Sequence, residues 1–328
     1  MIDLTTKYLG LTLKNPLIVG SSELTNSAEK IQKLAAAGAG AVILKSLFEE
    51  QILMDIDAER VNNISGSYEH VENYLGFYLK KHQIDSYLKL IRDAKASVDI
   101  PVITSINCVS AGEWITYAKQ IEEAGADALE VNMFIMPSDL KSTTADIEAI
   151  YFGVAEQITK AIKIPVAIKL STYFTAMAAF LLKLSQTGIS GMTFFNKFYS
   201  PAIDIDKEAI ISQPIFSNPS DHGQSLRWIG LLSGHVSCDL SASTGVHSGK
   251  ELISSLLVGA ASVQMVSAIY QHGESVIGQS LETLKEWMLS KGYSAIEDFK
   301  GKLAQTNLKN PMIYERSQFM KYFSDSGR

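Results

Sequence analysis

Cysteine is scarce. The chain has two, Cys108 and Cys238, in 328 residues. A disulfide-stapled scaffold is excluded, and neither cysteine has a metal-ligand spacing, so both read as reduced, buried thiols of a cytosolic protein. The six histidines, His70, His82, His222, His235, His247 and His272, form no HExxH or comparable cluster, and no metal centre is expected. Positive charge is in deficit: 29 Lys and Arg against 35 Asp and Glu, a net −6. That argues against nucleic acid or an anionic membrane as partner. Long hydrophobic runs are missing. The most apolar segment, FTAMAAFLLKL at 174–184, is too short to span a bilayer and contains Lys183. The opening MIDLTTKYLG has no signal-peptide pattern, so a cytoplasmic location is expected. A GxGxxG turn is also absent: the first strand runs into VGSSELTNS, which gives no support to a nicotinamide-binding open sheet.

What remains is a chain with 46% hydrophobic and 20% charged residues, long enough to bury roughly three quarters of its unfolded surface. Short apolar runs alternate with helical patterns. Strands are predicted at 16–20, 41–46, 101–106, 128–134, 164–170, 191–196, 238–243 and 261–266. They are near-continuous in Val, Ile, Leu and Ala, as parallel strands covered by helices are. Glycines at 38, 125, 188, 234 and 259 sit where the intervening helices should end. Eight β/α units predict a TIM (β/α)8 barrel with long catalytic-face loops and a C-terminal extension. An open doubly wound sheet is the alternative. Residues 1–302 are expected to form one barrel and 303–328 an extension packed on it or on a second subunit. The excursions 47–98 and 197–224 follow barrel strands and are read as long loops over the catalytic face. The acidic pair Glu122-Glu123 reads as a solvated helix face, His222 as a surface-loop residue, and Trp114, Trp228 and Trp287 as packing residues.

Function in a barrel sits at the carboxyl ends of the strands. Here those ends are Gly20-Ser21-Ser22, Lys45-Ser46, Asn107, Asn132, Lys169, Asn196-Lys197, Ser243-Thr244-Gly245 and Val266-Ser267. Amides match the donor and acceptor edge of a heterocycle. Lys45 and Lys169 follow apolar runs and need an anionic or electron-rich partner. For Lys169 that partner is a reduced flavin, a Schiff-base carbonyl or a structural carboxylate. STGVHSGKE at 243–251 has the small residues and following helix of a phosphate cup, with Ser267 beside it.

The pieces LKNPLIVGSS, GAGAVILKS, SINCVSAGEW, GADALEVN, IPVAIKL and LSASTGVHSGKELISSLLVGAASVQMVSAIYQHG, in this order and spacing, resemble the class 1 dihydroorotate dehydrogenase family over residues 3–302. NKFYSPAIDID also looks like the flavin-bearing domain of dihydropyrimidine dehydrogenase. The resemblance implies FMN as cofactor. Gly20 and Ser21 would lie against the flavin, Lys45 would contact the isoalloxazine, and Ser46 would support it. Asn107 and Asn132 would bind flavin or pyrimidine. Lys169 would stabilise the reduced ring, Asn196 would face substrate, and Thr244, Gly245, Val266 and Ser267 would hold the phosphate. The family's second glycine pair at the phosphate falls near Ser217-Asn218. The implied catalytic set is Lys45, Asn132, Lys169 and Asn196. The implied partners are a cyclic amide or pyrimidine-like substrate, an external electron acceptor and a second copy of the chain.

One departure stands out. The family reads Asn-x-x-Cys-Pro-Asn after the fourth strand, with the cysteine as base. This chain reads Asn132-Met133-Phe134-Ile135-Met136-Pro137, and isoleucine takes no proton. The usual substrate loop is replaced by VNNISGSYEHVENYLG at 61–76, where Asn63 or Ser65 is a substitute contact. Ser138 and Cys108 are the other candidate groups. The implied reaction is oxidation of dihydroorotate or a related cyclic amide by hydride transfer to flavin. The alternatives are reduction of another unsaturated ring or enone, a non-catalytic flavin- or phosphate-binding barrel, and Schiff-base lyase chemistry.

Overall fold

Strands that read Leu-Ile-Val or Ala-Val-Ile need cover on both faces, and they find it by closing on themselves inside a ring of helices. The computed structural model describes residues 2–48, 69–107, 114–197, 200–212 and 215–315. In chain order the strands are β1 (Thr6–Tyr8), β2 (Leu11–Leu13), β3 (Leu17–Val19), β4 (Ala41–Ile43), β5 (Leu47–Phe48), β6 (Val102–Asn107) and β7 (Ala128–Asn132). They continue with β8 (Val166–Lys169), β9 (Gly191–Phe194), β10 (Pro201–Asp204), β11 (Ala209–Ser212), β12 (Asp239–Ala242) and β13 (Ser262–Met265). Eight of them, in the order β3-β4-β6-β7-β8-β9-β12-β13, pair in parallel and return to β3. The protein is a TIM barrel. β5 adds two residues beside the end of β6.

The predicted strands all form, starting within two residues of the expected positions. The five expected helix-ending glycines carry φ between +85° and +109°, a region where side chains with a Cβ are strained. Three features were not anticipated. Thr6–Tyr8 and Leu11–Leu13 form a hairpin whose turn, Leu9-Gly10, has φ of +54° and +74°. It closes the amino-terminal end of the barrel. Leu9 N donates to Asp239 Oδ2 at 2.7 Å, and Thr6 Oγ1 donates to the Ala261 carbonyl at 3.1 Å. A Cβ on Gly191 would lie 2.5 Å from the Leu9 side chain, so only glycine admits the plug there. The second excursion is not structureless: it holds the antiparallel hairpin β10–β11. The first excursion carries one helix from Glu69 to Ser97, of which only the stretch SYLKLIRDAK has a helical pattern in the sequence.

Two apolar clusters result. Leu9, Leu13, Ile18, Ala41, Ile43, Ile103, Ala128, Ala167 and Ala261 surround Tyr8 inside the lower barrel. A larger cluster fills the space between the outer strand faces and the helices. Trp228 and Trp287 pack against that second cluster as expected; the Trp114 side chain lies outside the described residues. Glu122 departs from its solvated reading. Its Oε1 accepts from Lys163 N (2.7 Å) and Ile164 N (3.1 Å), tying one helix to the approach of β8. Beyond Lys302, Leu303 N donates to the Leu257 carbonyl at 2.7 Å, and the Tyr314 ring lies over Gly230. No helix among the described residues is long and apolar enough to cross a membrane.

Candidate active site at the carboxyl end of the barrel

Strand periodicity places the inward residues. On β7, Ala128, Glu130 and Asn132 share one face; on β8, Ala167 and Lys169 do. Register then aligns Asn107 with Asn132, Asn132 with Lys169, and Lys169 with Thr193. Three candidate residues thus form a row across the top of β6, β7 and β8. Asn196, just beyond β9, closes the row by donating from Nδ2 to Asn132 Oδ1 at 2.6 Å.

The Lys169 side chain is 12% exposed. Its Nζ donates to Gln264 Oε1 at 3.0 Å and lies 3.9 Å from Glu130 Oε1. Glu130 is 1% exposed. Its other oxygen accepts from Gln264 Nε2 (2.6 Å) and Thr193 Oγ1 (2.9 Å). Tyr8 of the plug reaches Thr193 Oγ1 at 3.4 Å, and burial together with the Glu130 charge pushes the Tyr8 phenol well up. The residue types Glu130, Thr193 and Gln264 carry a signal that the sequence reading missed. Each is a polar side chain inside a buried strand; Glu130 shares the parity of Asn132, Gln264 that of Val266, and Thr193 pairs in register with Lys169.

On the adjoining arc, Ser21 Oγ accepts from Ser46 N at 2.9 Å, and Ser46 Oγ lies 2.6 Å from Ser105 Oγ. Tyr87 of the helix Glu69–Ser97 clamps the same strand: its hydroxyl accepts from Ser105 N and donates to the Ser105 carbonyl, both at 2.9 Å. Gly20 lies against β13, where a Cβ would come within 2.9 Å of Val266. Lys45 has a carboxylate partner of its own. It pairs with Glu23, and the Lys45 ammonium holds the Glu23 carboxyl below the usual range.

The phosphate-cup residues come together from three segments. Ser217 N and Oγ both donate to Ser267 Oγ, at 3.0 and 3.1 Å, and Ser217 Oγ lies 3.2 Å from His247 Nε2. Asn218 N donates to Asp221 Oδ2 at 2.9 Å, and Asp221 pairs with Lys197 at 2.9 Å. Thr244 (φ +68°) turns its hydroxyl to the Phe195 carbonyl at 2.8 Å. Gly245 (φ +79°) crosses His222 so closely that a Cβ would sit 2.3 Å from the His222 backbone nitrogen. The cup is then locked by a capping box: Ser248 Oγ accepts from Lys250 N, and Glu251 Oε2 accepts from Ser248 N at 2.8 Å. His222 is therefore no surface-loop residue. It is 3% exposed, contacts Ser255 Oγ through Nε2 at 3.1 Å, and burial pushes its pKa down. His247 was not among the sequence candidates.

The segment after β7 is apolar. Met133 is buried, Ile135 packs against the outer core, and Met136 is exposed. Ser138 is exposed. Cys108, Asn63 and Ser65 lie outside the described residues. A cavity of about 360 Å³ opens between the segments following β7 and β8, lined by Pro137, Thr144, Glu148, Thr172, Tyr173 and Phe174. No group of three or more metal-ligating side chains occurs among the described residues.

A family model described as dihydroorotate dehydrogenase matches residues 3–288. The chain belongs to the dihydroorotate dehydrogenase family. Curated relatives agree at low identity. The chain is 26% identical over 296 residues to the dihydroorotate dehydrogenase B (NAD(+)) catalytic subunit of Methanocaldococcus jannaschii, covering 86% of this chain and 94% of the relative. It is 21% identical over 314 residues to the protein of the same name from Thermoplasma volcanium, covering 92% and 98%. It is also 24% identical over 340 residues to the NAD-dependent dihydropyrimidine dehydrogenase subunit PreA of Escherichia coli, covering 96% and 80%. In this member of the dihydroorotate dehydrogenase family Asn132, Lys169 and Asn196 form one row, and Ile135 stands where the resemblance leads one to expect a cysteine base.

Proposed function

We propose that this chain is an FMN-dependent oxidoreductase acting on a CH–CH bond of dihydroorotate or a related cyclic amide. The observation that carries the reading is the part-buried ammonium of Lys169 at the barrel mouth, flanked in register by Asn132, which is itself bonded to Asn196. The donor chemistry fits FMN. Amides and an ammonium suit the polar edge of the flavin ring, and the Ser217, Ser267 and His247 group suits a terminal phosphate. Gly20, Ser21, Ser46, Asn107, Asn218, Thr244, Gly245 and Val266 complete the proposed cofactor site, and Lys45 borders it.

Bound FMN would supply a two-electron hydride acceptor. The chain supplies the rest. Lys169, part-buried and held by Gln264, would place fixed positive charge where negative charge develops. Asn132 and Asn196, bonded to each other, present the remaining amide groups to substrate in fixed orientation. Ile135 neither takes nor gives a proton. A general base contributes roughly 10²–10⁴-fold, so oxidation of dihydroorotate is expected to be slow in this chain. That same observation favours a second reading, in which the chain with FMN bound would reduce a different unsaturated ring or enone. Residues 1–302 act as the flavin-binding unit in either reading. The protein works in the cytoplasm with an external electron acceptor, as a homodimer or beside an electron-transfer subunit.

The test is a visible spectrum of the purified protein, mass spectrometry of the released cofactor, and anaerobic titration. Flavin absorbance near 450 nm that bleaches slowly with dihydroorotate is the expected result. A colourless protein that takes up no FMN overturns the reading. Rapid bleaching overturns the role given to Ile135.

A further inference from the structure

A carboxylate at 1% exposure inside a barrel calls for a reason. Burying a charge is expensive unless it is paired and hydrogen-bonded. Glu130 Oε2 is fully engaged by Thr193 and Gln264. Glu130 Oε1 is buried with no hydrogen-bond partner among the described residues. It faces Lys169 Nζ at 3.9 Å, beyond hydrogen-bond length and within ion-pair range. An apolar residue here would avoid the desolvation cost, as Ala128 does two positions earlier on the same face.

The geometry of Gln264 shows what the carboxylate does. A glutamine amide can present either its oxygen or its NH2 to a neighbour. Glu130 only accepts, so it draws Nε2 toward itself at 2.6 Å, with Thr193 Oγ1 a further acceptor at 3.3 Å. The amide oxygen is thereby turned to Lys169 at 3.0 Å. Thr193 gives its one proton to Glu130, so the contact at 3.4 Å is donated by the Tyr8 hydroxyl. Every donor in the chain Tyr8, Thr193, Gln264 and Lys169 is thus oriented by one anion.

We propose that Glu130 is a positioning residue for Lys169: through Gln264 it fixes the ammonium at the barrel mouth, and its negative charge partly offsets the lysine's field and so sets the reduction potential of the bound flavin. The inference rests on the FMN reading above. It assigns Glu130 no contact with substrate or cofactor. The carboxylate acts on the equilibrium between oxidised and reduced flavin through Lys169.

The experiment is spectroelectrochemical titration of the flavin-loaded wild-type and Glu130→Gln proteins. Removing the anion leaves the Lys169 charge less compensated and favours the reduced, more negative ring. The expected result is a rise in midpoint potential equivalent to about tenfold in the reduced-to-oxidised ratio, about 30 mV for a two-electron couple. Gln264→Leu removes the carbonyl dipole facing the ammonium. It is expected to shift the ratio the same way by about threefold, and it serves if Glu130→Gln fails to fold. A folded variant whose potential is unchanged or lower overturns the inference, because a purely structural Glu130 would alter stability and leave the potential alone. Wild-type protein that takes up no flavin overturns this inference and the cofactor reading together. A bound flavin indifferent to both substitutions overturns this inference only.

Discussion

On β7, Ala128 and Glu130 point into the barrel two residues apart. Ala128 faces a dry floor of Leu13, Ile18, Ile43 and Ile103 beneath the plug. Glu130 faces a hydrogen-bonded ceiling of Thr193, Gln264 and Lys169. The strands are the same and the alternation is the same, so strand geometry does not set the difference. The lower layer fills volume and holds the fold. The upper layer keeps buried charges in fixed orientation, an arrangement that costs stability and is retained where electrostatic preorganisation matters.

The sharpest way to break this contrast is at the rim itself. Ile135→Cys, with a thiol at the family's base position, is expected to speed dihydroorotate oxidation by roughly 10²–10⁴-fold. Stopped-flow bleaching of the flavin reads it, and an unchanged rate would mean that the lost base is not what limits the chain. In the floor, Leu13→Ala is expected to cost about 2–5 kcal/mol of stability by denaturant titration, with the flavin spectrum and reduction rate of the folded fraction unchanged. A floor substitution that altered the flavin would dissolve the distinction between layers. At the ceiling, Lys169→Met is expected to slow flavin reduction roughly 10²–10³-fold. It also leaves Glu130 without its neighbouring cation, so it should destabilise the fold. The double variant with Glu130→Gln should recover stability and not rate.

The smallest effect concerns His222 under the Gly245 turn. Burial pushes its pKa below the ordinary value near 6.5, so the unfolded chain binds the proton first as pH falls. The contribution to stability is complete above about pH 6.5 and is lost below it, by no more than about 1.4 kcal/mol per pH unit. His222→Gln should flatten that slope in melts between pH 7 and 5, the measurement that checks it.

The barrel was legible because its grammar is local. Apolar runs such as PLIVG and AVILK, spaced by helical patterns and ended by glycines, encode strand, crossover and stop with no reference to distant residues. What escaped reading was non-local. Thr6–Tyr8 and Leu11–Leu13 are a weak pattern by themselves and make sense only under Asp239 and Ala261. His222 sits in the polar string NPSDHGQ, which looks like a surface loop until Gly245 crosses it. Glu122 looks solvated until the approach to β8 supplies two amide donors. The site shows the same division. Lys169, Asn132 and Asn196 could be named from their places at strand ends. Glu130 and Gln264 are separated by 134 positions, and their meeting depends on barrel closure. Lys45 stands at a strand end as well, yet a nearby carboxylate, Glu23, claims it.

The plug also bears on how the chain assembles. Leu9 must wait for Asp239, 230 positions later, and Tyr8 for Thr193, 185 positions later. During synthesis the first hairpin leaves the ribosome long before the strands that receive it. Chains that still lack Asp239 and β13 therefore carry a hairpin with nothing to receive it and an open sheet edge, and the base of the cylinder seals only once those strands are made.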